Sequence, residues 1–469
     1  MRHEFPTFRQ PQALVVPMNR LRQTLILIAV TGLLSGRASA TDNPRLAFEE
    51  VTLANGMKVV LHEDHTLPIV ALNLWYKVGS RDEQPGRSGF AHLFEHLMFM
   101  GTERVPNFDV VMEGGGAWNN ASTSEDRTNY YSVGPANMVD TLLWLDADRL
   151  DSLDDTMTQA KLDLQRDVVR NERRQSYENQ PYGQTWLIIP NEMYPEGHPY
   201  HDPVIGSHED LESATVDDVV SFFRTWYIPA NASLVLAGDF DPEKVKPLIE
   251  DYFGSIESNP PPASLGEVPM PTFAAKTVAI TDDVQLPQVT MVWHSAPFMK
   301  PGDAELDVAS SVLAGSKNSR LYKSLVYDKE IANDVSAYQA SMSLSSLFII
   351  EATAQPGHTL EELEAAIDAE LQTLRTEVPT QRELDRAKNN IETNFVRRIE
   401  AVNARADLLN QYLFLTGSPD YLQQDLARYQ AITPEDVQKV VSETLLEGNR
   451  FTLETRPEPA ALEATGGQE

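Results

Sequence analysis

Between residues 88 and 101 the apolar side chains Phe90, Leu93, Phe94 and Leu97 recur at i, i+3, i+4 and i+7, the stripe of an amphipathic helix. Ser88 stands where an N-cap belongs and Gly101 where a helix stops, so the pattern predicts a helix between them. Two further long helices are predicted over 359–374, rich in Glu, Leu and Ala, and over 381–412. The second is opened by Thr380, with Glu383 at capping-box spacing. Shorter apolar runs at 57–62 and 68–78 read as adjacent, hairpin-like strands. Strands and helices alternate irregularly. That predicts an α+β fold with mainly antiparallel sheets, each backed by helices.

The pattern is written twice. Leu67-Pro68 opens a buried strand running to Trp75, and Leu286-Pro287 opens another running to Trp293, 219 residues later. Thr215 begins one amphipathic helix and Thr433 another, 218 residues later. Each helix is followed by an Asn (Asn231, Asn449) and then a strand. Two independent matches at nearly one offset predict an internal duplication, with two homologous α/β domains. We place the first at 41–257 and the second at 273–457. A Pro-rich linker, 258–272, carries Pro260, Pro261, Pro262, Pro269 and Pro271 and favours extended geometry. Residues 458–469 have little to bury and read as a disordered tail.

Residues 1–40 read as a signal peptide. Arg20 and Arg22 precede an apolar run over 24–34, and Ala38 and Ala40 supply the small residues of a cleavage site. Met18 is a plausible true start, since the residues before it look unlike a signal. The run is short for a bilayer, so no stable membrane span is expected after cleavage. An uncleaved amphipathic anchor is the other reading. For a Gram-negative source the mature chain, starting near Thr41, is expected in the periplasm. Composition removes other classes. With 42% apolar and 23% charged residues, the chain is neither disordered nor polytopic. A formal charge of −31 disfavours nucleic acid. There is no cysteine, so any metal must be held by His, Asp or Glu.

At about 100° per residue, His92, Glu95 and His96 share the polar face of the first helix. Two imidazoles one turn apart can chelate an ion with a carboxylate beside them. Zinc takes such nitrogens and usually a third protein ligand. An isolated histidine pair is more often an ordinary surface or interface pair. The glutamate between them makes His92-Leu93-Phe94-Glu95-His96 the mirror-ordered counterpart of the His-Glu-x-x-His zinc helix. A third ligand is expected downstream. Glu172 lies on a helical stretch whose Leu164, Val168 and Val169 suggest an apolar face just before it. The bland alternative is a solvated helix glutamate.

These residues resemble the pitrilysin/insulinase family of inverted-motif zinc peptidases, and the size and layout resemble bacterial relatives of the mitochondrial processing peptidase. The motif at 92–96, the stretch 115–131 and the stretch 171–182 carry the resemblance, which spans nearly the whole mature chain. It implies one Zn²⁺ per chain held by His92, His96 and Glu172. Glu95 would be general base, taking a proton from the attacking water and passing one to the leaving amine. Asn120 and Ala121 match the family's substrate-binding edge strand, which pairs with an extended peptide. The implied activity is a zinc metalloendopeptidase acting on short or unfolded peptides.

The sequence departs from that family in three places. The second-half counterpart of the metal helix, 306–315, has neither His nor Glu. Active single-chain members carry an Arg and a Tyr, seven apart, in the second half; here Val326 and Asn333 occupy those positions, and Arg320 and Tyr322 are at the wrong spacing. Gln165 replaces a commonly acidic residue seven positions before the distal ligand. The expectation is therefore the catalytic subunit of a clam-shell heterodimer, whose homologous zinc-free partner supplies the Arg/Tyr pair. The alternatives are a self-sufficient homodimeric peptidase or a non-catalytic peptide-binding subunit. His62 and His65, at a strand end, and His198, His201 and His208, in a Pro/Gly-rich loop, are not expected to hold metal. Gly114, Gly115 and Gly116 lack the Lys-Ser/Thr of a phosphate loop and precede a strand.

Overall fold

The computed structural model describes residues 45–266 and 268–458. The signal-peptide expectation, 1–40, lies outside the described residues, as does the expected tail beyond Glu458. Among the described residues no helix is long and apolar enough to cross a membrane.

The first half contains β1 (Glu49–Thr52), β2 (Lys58–Glu63), β3 (Ile69–Tyr76), α1 (Phe90–Leu97), α2 (Phe108–Gly114), β4 (Trp118–Thr123), β5 (Thr128–Pro135), α3 (Val139–Ser152), α4 (Gln159–Arg173), α5 (Thr185–Met193), α6 (His208–Ser213), α7 (Val216–Trp226), β6 (Ala232–Gly238) and α8 (Pro242–Phe253). The second contains β7 (Lys276–Asp282), β8 (Gln288–Ser295), α9 (Asp303–Ala314), β9 (Ala332–Ala340), β10 (Ser346–Ala354), α10 (Leu360–Thr376), α11 (Gln381–Arg398), α12 (Val402–Thr416), α13 (Leu422–Ala431), α14 (Pro434–Thr444) and β11 (Phe451–Pro457).

The sheets run β1-β2-β6-β3-β5-β4 and β7-β11-β8-β10-β9. Apart from β1, the two orders superimpose. The β2–β6 and β7–β11 pairs are parallel and the remaining pairs antiparallel, so the duplication extends to strand direction. The capping signals recur as well. Thr215 and Thr433 both cap their helices, and each is closed by an Asp three residues on (Asp218, Asp436).

Two sequence expectations are corrected. Strands β2 and β3 do not form a hairpin, because the fully buried strand β6 inserts between them. The stretch 381–412 is two helices, not one. Thr380 caps α11 as expected, but the helix ends at Arg398, Ala401 is extended, and α12 starts afresh at Val402. The break has a packing cause. Val402, Ala406, Leu409 and Leu413 on α12 bury against Val60, Ala71, Val235 and Ala237 of the first sheet. Conversely, Ile189 and Met193 on α5, a first-half helix, bury against Val292, Leu347, Ile349, Phe451 and Leu453 of the second sheet. Both helices occupy the same place in the duplicated order, so each half covers the outer face of the other's sheet. The inner faces carry the larger cores, built on α1, α3, α7 and α8 in one half and α9, α10 and α14 in the other.

His294 on β8 fastens this exchange by donating Nε2–H to the carbonyl of Met193 at 2.8 Å. Burial pushes its pKa from 6.5 down to about 4, so the folded chain keeps the ring neutral. The unfolded chain binds the proton first as pH falls. Stability from this group is therefore complete above pH 6.5 and drains away towards pH 4. Between pH 7 and 4.5 the loss should be about 2–3 kcal/mol. Denaturant titrations at the two pH values should show a smaller loss for His294→Gln than for the parent chain.

Candidate functional site

The sequence places α1 against the first sheet through Phe90, Leu93, Phe94 and Leu97, all buried. Ser88 is not its cap. The helix begins after Gly89, at φ 86°, while Ser88 gives both its N–H and its hydroxyl to Asp210. The helix start is satisfied instead by the buried carboxylate of Glu83, which accepts from the N–H groups of Gly89 and Ala91 at 3.0 and 2.7 Å. Gly89 packs on Gly206, where an added Cβ would sit 2.4 Å from the Gly89 Cα, so glycine is needed at the contact. Regular helix ends at Leu97, and Gly101 follows a further turn at φ 73°.

Helix α4 packs beside α1 and is capped by Thr158. Its buried residues are Leu162 and Val169, whereas Leu164 and Val168 are exposed. The expected apolar face is thus rotated. Leu164, Val168 and Glu172 form a second line, at i, i+4 and i+8, along the open side. After Arg173 the helix widens into one π turn, Arg174–Glu178. There Glu178 accepts from Arg173 Nε at 2.9 Å and meets His208 Nε2 at 3.0 Å. Arg173 also donates to the Gly206 carbonyl, tying the end of α4 to the start of α1.

These two helices bring three donor atoms together. His92 Nε2 lies 3.3 Å from His96 Nε2. Glu172 Oε2 lies 3.8 Å from the first and 3.3 Å from the second. Ligands about 2.0–2.1 Å from a tetrahedral ion lie roughly 3.3 Å apart, so the spacing fits zinc. Among the described residues this is the one group of three His or acidic side chains close enough to share an ion. The protonation states fit as well. Burial, aided by His96, pushes His92 down to about 4, leaving a neutral imidazole. The hydrogen bond with His96 holds Glu172 below the usual carboxylate range against its partial burial. Neutral imidazole and carboxylate are the forms that bind metal. His92 Nδ1 is enclosed and has no hydrogen-bond partner among the described residues, which leaves Nε2 as the nitrogen facing the other two donors.

Glu95 stands apart from this triad. Its Oε2 accepts the Thr123 hydroxyl proton at 2.6 Å. Burial raises its pKa, while the Thr123 bond and the charges of His96 and Arg127 oppose the rise. Thr123 belongs to β4, which among the described residues is an edge strand of the first sheet. Asn120 and Ala121 lie on that same edge strand. The Ala121 N–H is taken at 2.8 Å by the side-chain oxygen of Asn120. An incoming strand would have to displace that bond. The one signal for Thr123 in the sequence is that it follows Ala121 at the strand period of two.

The remaining candidates fall elsewhere. Gln165 donates to Met100 Sδ at 2.7 Å and lies outside the donor triad. Arg320 is committed to Glu383 by two bonds, 2.8 and 3.1 Å. Val326 is half-buried against the second core and Asn333 is exposed. His62 is buried with Nδ1 on the Ala47 carbonyl, whereas His65 bonds Asp239 and Glu63 at the surface, so the two do not converge. His198 and His201 bond local backbone.

Fold and donor set together define a two-sheet α+β protein with a candidate divalent-metal centre on paired helices. Residues 58–188 match the family described as insulinase (peptidase family M16), and residues 213–391 match the peptidase M16 inactive domain. The chain is 30% identical over 418 residues to the zinc protease PqqE of Helicobacter pylori, covering 87% of this chain and 93% of that protein. It is 24% identical over 406 residues to a probable mitochondrial-processing peptidase subunit beta of Arabidopsis thaliana, covering 83% and 75%. A crystal structure of a protease from Helicobacter pylori matches with a TM-score of 0.80 at 30% identity, over 88% of this chain and all of that one. The chain belongs to peptidase family M16, as its sequence resemblance implied.

Proposed function

We propose that this chain is an exported zinc metalloendopeptidase of short or unfolded peptides and the catalytic subunit of a heterodimer. One observation carries the enzymatic reading: three metal-competent donors converge beside a carboxylate that is not one of them, and that carboxylate is anchored to the edge strand β4. A purely structural metal site has no use for Glu95. His92, His96 and Glu172 would hold one Zn²⁺. When bound, zinc supplies a Lewis acid that polarises the scissile carbonyl and makes water a stronger acid. Glu95 takes a proton from the attacking water and gives one to the leaving amine. Thr123 holds its second oxygen and fixes the direction of that transfer. Ala121 and its neighbours on β4 receive the substrate backbone as an added strand, which tolerates varied side chains.

The two halves, 41–257 and 273–457, divide the labour: the first carries the metal and the second is a wall over the substrate. The heterodimer reading is supported by what stands in the second half. No Arg/Tyr pair occupies positions 326 and 333, and Arg320 is already held by Glu383. The basic-apolar-small pattern of residues 1–40 supports export to the periplasm.

The test is a peptide-cleavage assay with the purified chain, run with and without a homologous zinc-free chain bearing the Arg/Tyr pair. Cleavage should require the partner, vanish on chelation and return with Zn²⁺. Full activity of the chain alone would favour the homodimer, and no activity in any combination would favour a peptide-binding subunit.

A further inference from the structure

The outer face of the first sheet carries a polar row that ends at the substrate edge. Ser233, Trp75, Asn129 and Ser122 are direct partners across β6, β3, β5 and β4, so they share one face. Helix α12 lies on this face. Asp407 on α12 takes three N–H groups on Oδ1: from Trp75 Nε1 and Asn129 Nδ2, each at 3.2 Å, and from Asn73 Nδ2 at 3.5 Å. Its other oxygen faces Arg398 at 3.4 Å. Three residues on, Asn410 accepts from Ser233 Oγ at 2.7 Å and donates to Asn73 at 2.9 Å.

The row then passes to β4. Asn129 Oδ1 accepts the Ser122 hydroxyl proton at 2.7 Å, and Arg127 Nη1 donates to both the carbonyl and the hydroxyl of Ser122 at 2.7 Å. Arg127 lies over the Trp75 ring at 5.1 Å. Burial lowers its pKa, and the charge of Asp407 opposes this most. Strand β4 is therefore gripped from both faces. Thr123 reaches Glu95 on the α1 side, and Ser122 reaches Asn129 on the α12 side. Among the described residues the one strand neighbour of β4 is β5, so side-chain fastening substitutes for a second strand.

We propose that Asp407 is a positioning residue for the substrate strand, acting through Asn129, Arg127 and Ser122 to hold β4 in the geometry that accepts a peptide. The second half thus contributes to the reaction through an exchanged helix, without touching substrate. The inference rests on the peptidase reading above. Its physical content is preorganisation: a strand already fixed loses less freedom on pairing.

The experiment compares the full chain with Asp407→Ala, Asp407→Asn and Ser122→Ala. Amide hydrogen exchange over residues 118–123 is measured without peptide, and KM and kcat are measured with the partner present. In Asp407→Ala the β4 amides should exchange at least about tenfold faster. KM should rise by about tenfold, with kcat within about threefold and zinc content unchanged. Asp407→Asn keeps an acceptor oxygen and should recover most of both effects. Ser122→Ala cuts the link while leaving α12 docked and should reproduce the KM rise, even where Asp407→Ala folds poorly. Exchange within about twofold of the parent in both alanine variants, or a fall in melting temperature with KM unmoved, would overturn the proposal. A parent chain that cleaves nothing would instead overturn the peptidase reading, and the exchange measurement would still decide the role of Asp407.

Discussion

Glu95→Gln should abolish peptide cleavage, lowering kcat by about 10²–10⁴-fold, while the chain still binds one zinc ion. The amide has nearly the shape of the carboxylate and retains an oxygen for the Thr123 hydroxyl, which now sits 2.6 Å from Oε2. It cannot accept a proton from water. Glu95 is outside the donor triad, so the metal should stay. Burial already disfavours its charge, so neutralisation should not destabilise the fold. Three measurements on one preparation separate the possibilities: turnover, zinc per chain by elemental analysis, and thermal melting. Turnover within threefold of the parent would remove Glu95 from the chemistry. Loss of zinc would show instead that it serves as a ligand.

Much of the site and fold is legible in the sequence because it is local. The histidines and Glu95 lie within one helix, whose apolar stripe fixes which face looks inward. The capping boxes at Thr215, Thr433 and Thr380 are written within four residues each, and all three form. The duplication shows because two Leu-Pro strand openings and two Thr-capped helices recur at one offset. What is not legible depends on contacts between distant segments. Strand β6 enters between β2 and β3 only because its seven residues are apolar enough to be buried on both faces. The break before α12 follows from the apolar face of a sheet more than 160 residues earlier, and the stretch 399–401 contains neither Pro nor Gly to announce it. Leu164 and Val168 mislead for the same reason. Periodicity identifies an apolar residue on α4 but not which neighbour, if any, will cover it. Asp407 is the furthest case, since its role depends on three residues of another sheet and on a helix exchanged between halves.

The distal ligand is where sequence and geometry make the second large prediction. Helix α1 presents two imidazole nitrogens 3.3 Å apart, and the third donor must come from α4. Glu172→Gln keeps the side-chain length but removes the charge that balances the cation, and Glu172→Asp keeps the charge but withdraws it by one methylene. Both should weaken zinc binding at least about a hundredfold, and cleavage should fall with metal occupancy. Raising zinc should restore activity further for Asp than for Gln, because charge is retained. The metal-free fold should barely respond. Glu172 is more than a third exposed, and its contact with His96 is an ordinary surface-type pair worth under about 1 kcal/mol. Dialysis followed by metal analysis, alongside melting of the zinc-free forms, distinguishes ligand from scaffold. A Glu172→Gln chain that binds zinc as tightly as the parent, in competition with a chelator, would remove Glu172 from the ligand set. Helix α4 is held firmly enough to make that a severe test, since Arg173, next in sequence, is bonded to Gly206 and Glu178 and leaves little freedom for another acid to replace the lost one.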